Sequence, residues 1–422
     1  MARSTVAFSE VSALEILDSR GNPTVQVTLV ADDGTAYVAG VPSGASTGTR
    51  EAVELRDGDR ARYGGKGVTQ AVGHVNDEIA GLLKGRGWSS LAEVDDALIA
   101  LDGTPTKARL GANAIVGTSM AAARAFAAGT PLWQSLQPAG VAPRLPVPHF
   151  NVLNGGVHAP NDLDFQEFMV APVGAPSFPE ALRAGAAVYG RLRALLQAKG
   201  EATGLGDEGG FAPNIARPED VLALIVQAIT DAGYPTGKAG VAIALDPAAS
   251  EFYRDGAYHV AGETLTSDDM IARYEAIAAD FPVWSLEDGL AEGDWDGWER
   301  LTARLGDKIQ LVGDDIFVTN PAIITEAIGR KVGNSALIKV NQIGSITETL
   351  RAQEICREAG YTQMISHRSG ETSDTFIADL AVATGTGQLK TGAPARGERV
   401  AKYNRLLEIT AAHPDLPYGL VS

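Results

Sequence analysis

Val241-Ala242-Ile243-Ala244-Leu245-Asp246 is an apolar run that stops on a carboxylate, and apolar runs that end at a polar or charged residue recur four more times down the chain. Residues 283–286 lead into Glu287, 309–312 approach Asp314, 336–338 lead into Lys339, and 361–365 approach His367. Helical patterns, for example 267–279 and 346–358, fall between most of these runs. Most of the endpoints lie about 25 to 30 residues apart, which suits one βα unit each, with a longer gap between Asp246 and Glu287. Such a rhythm predicts a (β/α) barrel, whose strand C-terminal ends all open on the face where active sites are built. Five residues remote in sequence are therefore expected to converge.

Upstream the pattern differs. Residues 13–17, 24–30 and 35–41 alternate or run apolar around Gly21-Asn22-Pro23 and Asp32-Asp33-Gly34, which predicts a three-stranded antiparallel meander. Helical patterns follow at 69–84, 90–101 and 112–128. Then Pro138, Pro143, Pro146 and Pro148 crowd a stretch that cannot continue a helix. The expected fold is α/β, with an N-terminal α+β capping domain over 1–137 and a barrel over 138–422 whose early strands are not all parallel.

The 422-residue length suits two domains, and 45% apolar with 21% charged residues is a globular balance. A net charge of −17 argues against nucleic acid or an anionic membrane as partner, since both want a basic face. If the substrate is an anion, attraction must come from a few local cations or bound metal. The single cysteine, Cys356, excludes an intrachain disulfide and a Cys-based zinc site. Residues 1–10 carry no apolar signal core, and no apolar run is long enough to span a bilayer, so a cytoplasmic location is expected.

Asp246, Glu287 and Asp314 put three carboxylates at successive strand ends. One such acid often caps the next helix, but three on one rim repel unless a hard dication sits among them. Oxygen ligands without Cys or His favour Mg²⁺ or Mn²⁺. Lys339, beside such a dication, should have a lowered pKa and serve as a general base. Gly206-Asp207-Glu208-Gly209-Gly210 brings an acid close to a ligand on unhindered backbone. The GxGxxG match at Gly204, Gly206 and Gly209 fails as a dinucleotide site, because no strand precedes it and Pro213 follows. The small-residue loop from Val41 through Ser43 to Gly48 suits a lid closing over a ligand. His367-Arg368-Ser369 offers donors for a phosphate, and Lys390 adds a further cation.

With these residues in hand, the chain resembles the enolase (phosphopyruvate hydratase) family along nearly its whole length. The resemblance rests on Leu17-Asp18-Ser19-Arg20-Gly21-Asn22-Pro23, the Ser43 loop, Leu110-Gly111-Ala112-Asn113, Asn154-Gly155-Gly156-Val157-His158, Gln166-Glu167-Phe168-Met169 and the Glu208 loop. It continues through Val312-Gly313-Asp314-Asp315, Ile338-Lys339-Val340-Asn341-Gln342, the Arg368 segment and Lys390-Thr391-Gly392. It implies a hydro-lyase that reversibly dehydrates 2-phospho-D-glycerate to phosphoenolpyruvate in glycolysis and gluconeogenesis, on an enolase-type (β/α)8 barrel.

In this resemblance Asp246, Glu287 and Asp314 hold one Mg²⁺, and a second arrives with substrate and meets Ser43 as the lid closes. Lys339 removes the C2 proton, and Glu208, helped by Glu167, assists departure of the C3 hydroxide. Lys390 binds the carboxylate and Arg368 with Ser369 the phosphate, while His158, Gln166 and His367 line the pocket. A homodimer or larger homo-oligomer is implied as well. Such Lys-base and magnesium sites are a named pattern for this superfamily. Gly40 and Gly293 stand where the family more often has an alanine and an acid, and Glu408 where a base is usual. No lysine stands at 420–422, so the surface capture through a terminal lysine known in the family is not expected. Two alternatives remain: a paralogue acting on a phosphonate or carboxylated analogue of phosphoenolpyruvate, and an inactive binding protein with the same fold.

Overall fold

A computed structural model of the chain describes residues 5–45 and 47–420, so Ser46 of the lid loop and the last two residues, Val421 and Ser422, lie outside the described residues. The meander is present as β1 (Val6–Leu17), β2 (Pro23–Ala31) and β3 (Ala36–Gly40), with β4 (Gly87–Trp88) added along the outer edge of β1. β1 begins well before residue 13, because its first half pairs with β2 through an irregularity between Phe8 and Glu10 that hides the alternation. The helix at Ala112–Ala127 packs against β2 and β3 and is buried on almost every side. Its small residues permit that approach: a Cβ on Gly117 would stand 2.8 Å from methyls of Val27 and Val41. The helical stretch expected at 69–84 carries a π-helical segment, Val75–Ile79, in its middle.

The barrel is closed in the order β11-β12-β13-β14-β15-β5-β6-β7. Its strands are β5 (Val147–Asn154), β6 (Glu167–Ala171), β7 (Ala242–Asp246), β11 (Val283–Glu287), β12 (Gln310–Gly313), β13 (Ser335–Ile338), β14 (Thr362–Ser366) and β15 (Gln388–Lys390). β6 runs antiparallel to both β5 and β7, because the short link from β5 holds no crossover helix. A separate sheet of β8 (Tyr253–Arg254), β9 (Ala257–Val260) and β10 (Glu263–Leu265) fills the long gap between Asp246 and Glu287. Apolar side chains such as Val147, Met169, Ala244 and Trp284 pack together from β5, β6, β7 and β11. At the strand starts, Gln310 and Gln388 exchange amide hydrogen bonds of 2.9 and 2.8 Å.

The N-terminal elements are tied to the barrel beside the catalytic face. Ser43 and Gly370 exchange backbone hydrogen bonds, each 2.8 Å. Arg124 pairs with Asp374 at 2.7 Å, and Lys107 with Glu348 at 2.9 Å. A Cβ on Gly40 would lie 2.7 Å from Thr372 Oγ1, so glycine permits this close approach of β3 to the barrel segment. Asp95, fully enclosed, accepts from the Thr347 backbone N–H at 2.9 Å and from its hydroxyl at 2.6 Å.

Burial raises the Asp95 pKa to about 6, against the hydrogen bonds from Thr347 and Ser119. Below about pH 4 the carboxyl is protonated in both folded and unfolded chains; between about pH 4 and 6 only the folded chain keeps the proton. Stability therefore falls as pH rises through that window, by roughly 3 kcal/mol for a shift of about two units. Asp95→Asn removes this dependence. Denaturant unfolding from pH 4 to 7 should show the wild type losing up to about 3 kcal/mol relative to the variant, and parallel curves would contradict the assignment.

Candidate active site

Strand direction explains how the remote acids meet. Asp246 ends β7, Glu287 ends β11 and Lys390 ends β15, while Asp314 and Lys339 follow β12 and β13 directly. Because β6 is reversed, its first residue, Glu167, reaches the same face and pairs in register with Asp246. Lys390 Nζ stands 2.6 Å from Glu287, 3.2 Å from Asp246 and 3.3 Å from Glu167. Asp314 pairs across the site with Lys339 and accepts from Gln342 Nε2 at 2.8 Å. Asp246 and Glu287 thus share one ammonium, and Asp314 faces another.

The electrostatics follow from burial. Exclusion of water pushes Glu287 well above the usual carboxylate range, and the Asp246 charge pushes it further. Glu167 is raised by burial and by Glu208. Burial also opposes ionisation of Asp314, yet Lys339 and Lys390 hold it below its ordinary value. Lys339, which burial alone would lower, is kept above its ordinary value by Asp314. The sequence reading expected a lowered lysine beside a dication; with Asp314 as its counter-ion, the opposite sign results. Glu287 Oε2 and Glu167 Oε2 are buried without a hydrogen-bond partner among the described residues. An all-oxygen donor set with an orphaned buried oxygen and surplus negative charge fits a hard divalent cation.

His158, Glu167 and Glu208 bring ligand-type atoms within 4.8 Å of one another, as do Asp288, Asp314 and Asp315. Asp288 spends its carboxylate on the backbone: it accepts from the N–H groups of Asp314 at 2.9 Å and Asp315 at 2.8 Å. It therefore sets the position of Asp314 relative to Glu287. Glu208 accepts from Asn151 Nδ2 at 2.9 Å and lies 3.2 Å from His367 Nε2 and 3.8 Å from His158 Nδ1. Burial works against its charge, but the two imidazoles and Arg399 hold it well below the usual range. The Arg399 guanidinium donates to His367 Nδ1, which leaves the His367 proton on Nε2, facing Glu208. Burial lowers the His367 pKa to about 4, so that ring is neutral near pH 7. Of the two glutamates, Glu167 is the one poised to carry a proton.

The donor fork after β14 is already engaged. Arg368 grips Glu51 with two bonds, 2.9 and 3.1 Å, and donates to Asn341 Oδ1 at 3.1 Å. Arg20 links Ser369 Oγ at 3.1 Å with the carbonyls of Ser43 and Gly44 at 3.3 and 3.0 Å. Ser43 Oγ accepts from Arg56 at 2.8 Å and donates to Glu54 at 3.1 Å, so its hydroxyl faces guanidinium groups rather than the acid cluster. Glycine at 44 is required here, since a Cβ would overlap the Arg368 guanidinium at 2.1 Å. The glycines beside Glu208 act similarly: Cβ atoms on Gly206 and Gly210 would fall 2.8 and 2.5 Å from Asn154 Oδ1.

One narrow cleft is lined by His158, Gln166, Glu167, Glu208, Lys339, His367, Arg368, Ser369 and Lys390, with Ala45 of the lid loop. Of the other expected site residues, Asp246, Glu287 and Asp314 join this cleft through Lys390 and Lys339, and Ser43 shares Arg20 with Ser369. Arg20, Glu51, Asn151, Asp288, Gln342 and Arg399 were not foreseen. Gln342 had a usable signal, lying one helical turn beyond Lys339; Arg399 sits within the helix Gly397–Ala412, with nothing in its neighbours to mark it.

Two family models match the chain: "Enolase, N-terminal domain" over residues 8–136 and "Enolase, C-terminal TIM barrel domain" over 142–415. A relative from Acidothermus cellulolyticus named "Enolase" is 59% identical over 401 residues, covering 94% of this chain and 93% of that protein. Another from Mycobacterium leprae, also named "Enolase", is 58% identical over 405 residues, covering 95% and 94%. With the barrel, the capping sheet and the lysine-carboxylate site arranged as described, the chain belongs to the enolase family.

Proposed function

We propose that this chain interconverts 2-phospho-D-glycerate and phosphoenolpyruvate as a hydro-lyase, and that Lys339 is its base. The observation that carries the reading is one cleft holding Lys339, the Glu167–Glu208 pair and the cations Arg368 and Lys390 together. Relatives named for that activity over nearly full length favour it above a phosphonate-specific paralogue.

Asp246, Glu287 and Asp314 would hold one Mg²⁺ and Ser43 a second arriving with substrate; when bound, these ions supply positive charge where the substrate's negative charge grows. Lys339 Nζ, as the free amine, takes the C2 proton. The Glu167–Glu208 pair delivers a proton to the C3 oxygen, which leaves as water while the C2 electrons form the C2–C3 double bond. Arg368 and Ser369 bind the phosphate, Lys390 the carboxylate, and His158, Gln166 and His367 wall the cleft against water. Ser43 must leave its Arg20 and Arg56 partners for its role, so lid movement is part of the cycle.

Exposed Leu14 and Leu17 on β1 support a homodimer or larger homo-oligomer. The buried thiol of Cys356 and the absence, among the described residues, of any helix long and apolar enough to cross a membrane are compatible with a cytoplasmic setting.

Turnover of 2-phosphoglycerate, followed by ultraviolet absorbance of the enol product, should require Mg²⁺, vanish with chelator and return on adding the metal. Lys339→Ala should lower kcat by about 10²–10⁴-fold. Absence of metal-dependent turnover in folded wild-type protein would sink the reading. Glu51→Gln takes a competing carboxylate from Arg368, so calorimetric titration should show inorganic phosphate binding roughly tenfold tighter, about 1.4 kcal/mol. Weaker binding would mean that Glu51 assists the anion instead.

A further inference from the structure

The barrel has a second opening at its other end. Gln310, Thr362 and Gln388 begin β12, β14 and β15, strands whose far ends lead to the catalytic cleft. These three residues line a cavity of about 790 Å³ on the strand-start side. Among the described residues, its wall carries Arg144, Lys238, Lys308 and Arg357 against one acid, Asp307. Four cations around one opening reverse the local sign of a chain whose net charge is −17.

The charge is matched by unfinished hydrogen bonding. Trp284 Nε1 and Gln363 Oε1 are buried without a partner among the described residues, and so is Arg357 Nη1. Trp284 and Gln363 are 6% and 4% exposed, so bulk water is not the ready remedy. The glutamines of the floor bond each other and leave these groups unmet. Lys238 Nζ lies 5.6 Å from the Trp284 ring centroid, and apolar wall is added by Ile309 and Tyr361. Glu354 and Glu358 act on Arg357 from its own helix, and Glu275 acts on Lys308.

We propose that this cavity is a second binding site, for a small aromatic anion. Its anionic group sits on Lys308 and Arg357, and its ring lies against the Trp284 wall. Nothing in the dehydration chemistry requires these residues, so the site is independent of the function proposed above.

The full chain is titrated with 8-anilinonaphthalene-1-sulfonate and followed by its fluorescence. Saturable binding of one probe per chain is expected, undisturbed by saturating 2-phosphoglycerate and Mg²⁺. Lys308→Ala/Arg357→Ala should weaken it at least tenfold while turnover stays unchanged. Lys308→Glu, at an exposed position, provides a second variant that should shift affinity the same way without touching the core. Displacement of the probe by 2-phosphoglycerate, equal affinity in these variants, or no saturable binding would each overturn the site.

Discussion

A single ammonium, Lys390 Nζ, is within 3.3 Å of Glu167, Asp246 and Glu287, and much of the site follows from what one such charge can neutralise. With Lys339 committed to Asp314, two lysines serve four carboxylates, and Glu208 leans on imidazoles and Asn151 instead. Buried charge without a partner is costly, so protons or added cations must make up the difference. Burial and neighbouring carboxylates raise the pKa values of Glu167 and Glu287, which favours their protonated forms. A dication supplies the alternative, and its arrival would release Lys339 from the carboxylate that keeps it charged. On the proposed roles, metal binding and base activation would be one event.

The same constraint explains how a chain at −17 handles an acidic substrate. Long-range attraction is unfavourable, so recognition is confined to a few buried cations. Arg368 keeps Glu51 as an internal anion, Arg20 joins Ser369 Oγ to the carbonyls of Ser43 and Gly44, and Arg399 holds the carbonyls of Arg368 and Ser369. Ser43 and Gly370, joined through their backbones, make the lid hinge part of the phosphate-binding segment. On the proposed roles, closure and anion binding would be linked through the exchange of Glu51 for substrate.

Much of this was legible in sequence because the barrel puts chemistry at strand ends, and an apolar run ending in Asp246, Glu287 or Lys339 announces itself. β5, β6 and β15 were not read as strands. Val147–Asn154 mixes Pro148, His149 and two asparagines, and Gln388–Lys390 is too short for periodicity. The reversal of β6 was anticipated only as early strands not all being parallel. The residues missed act through others: Asp288 works on backbone N–H groups, Arg399 on carbonyls and a histidine, and Glu51 on a guanidinium. Such roles depend on tertiary neighbours and leave no local pattern. The direction of the Lys339 shift likewise depends on a tertiary neighbour: with Asp314 facing the lysine it is upward, whereas the lowering expected from the sequence was for a lysine beside a bound dication.

The assignment of base to Lys339 and acid to the glutamate pair is tested most directly by hydrogen exchange at C2 of 2-phosphoglycerate in deuterated water, measured beside dehydration. Glu208→Gln should keep C2 exchange while losing dehydration, and Lys339→Ala should lose both. Exchange that survives in Lys339→Ala but disappears in Glu208→Gln would contradict the division of roles.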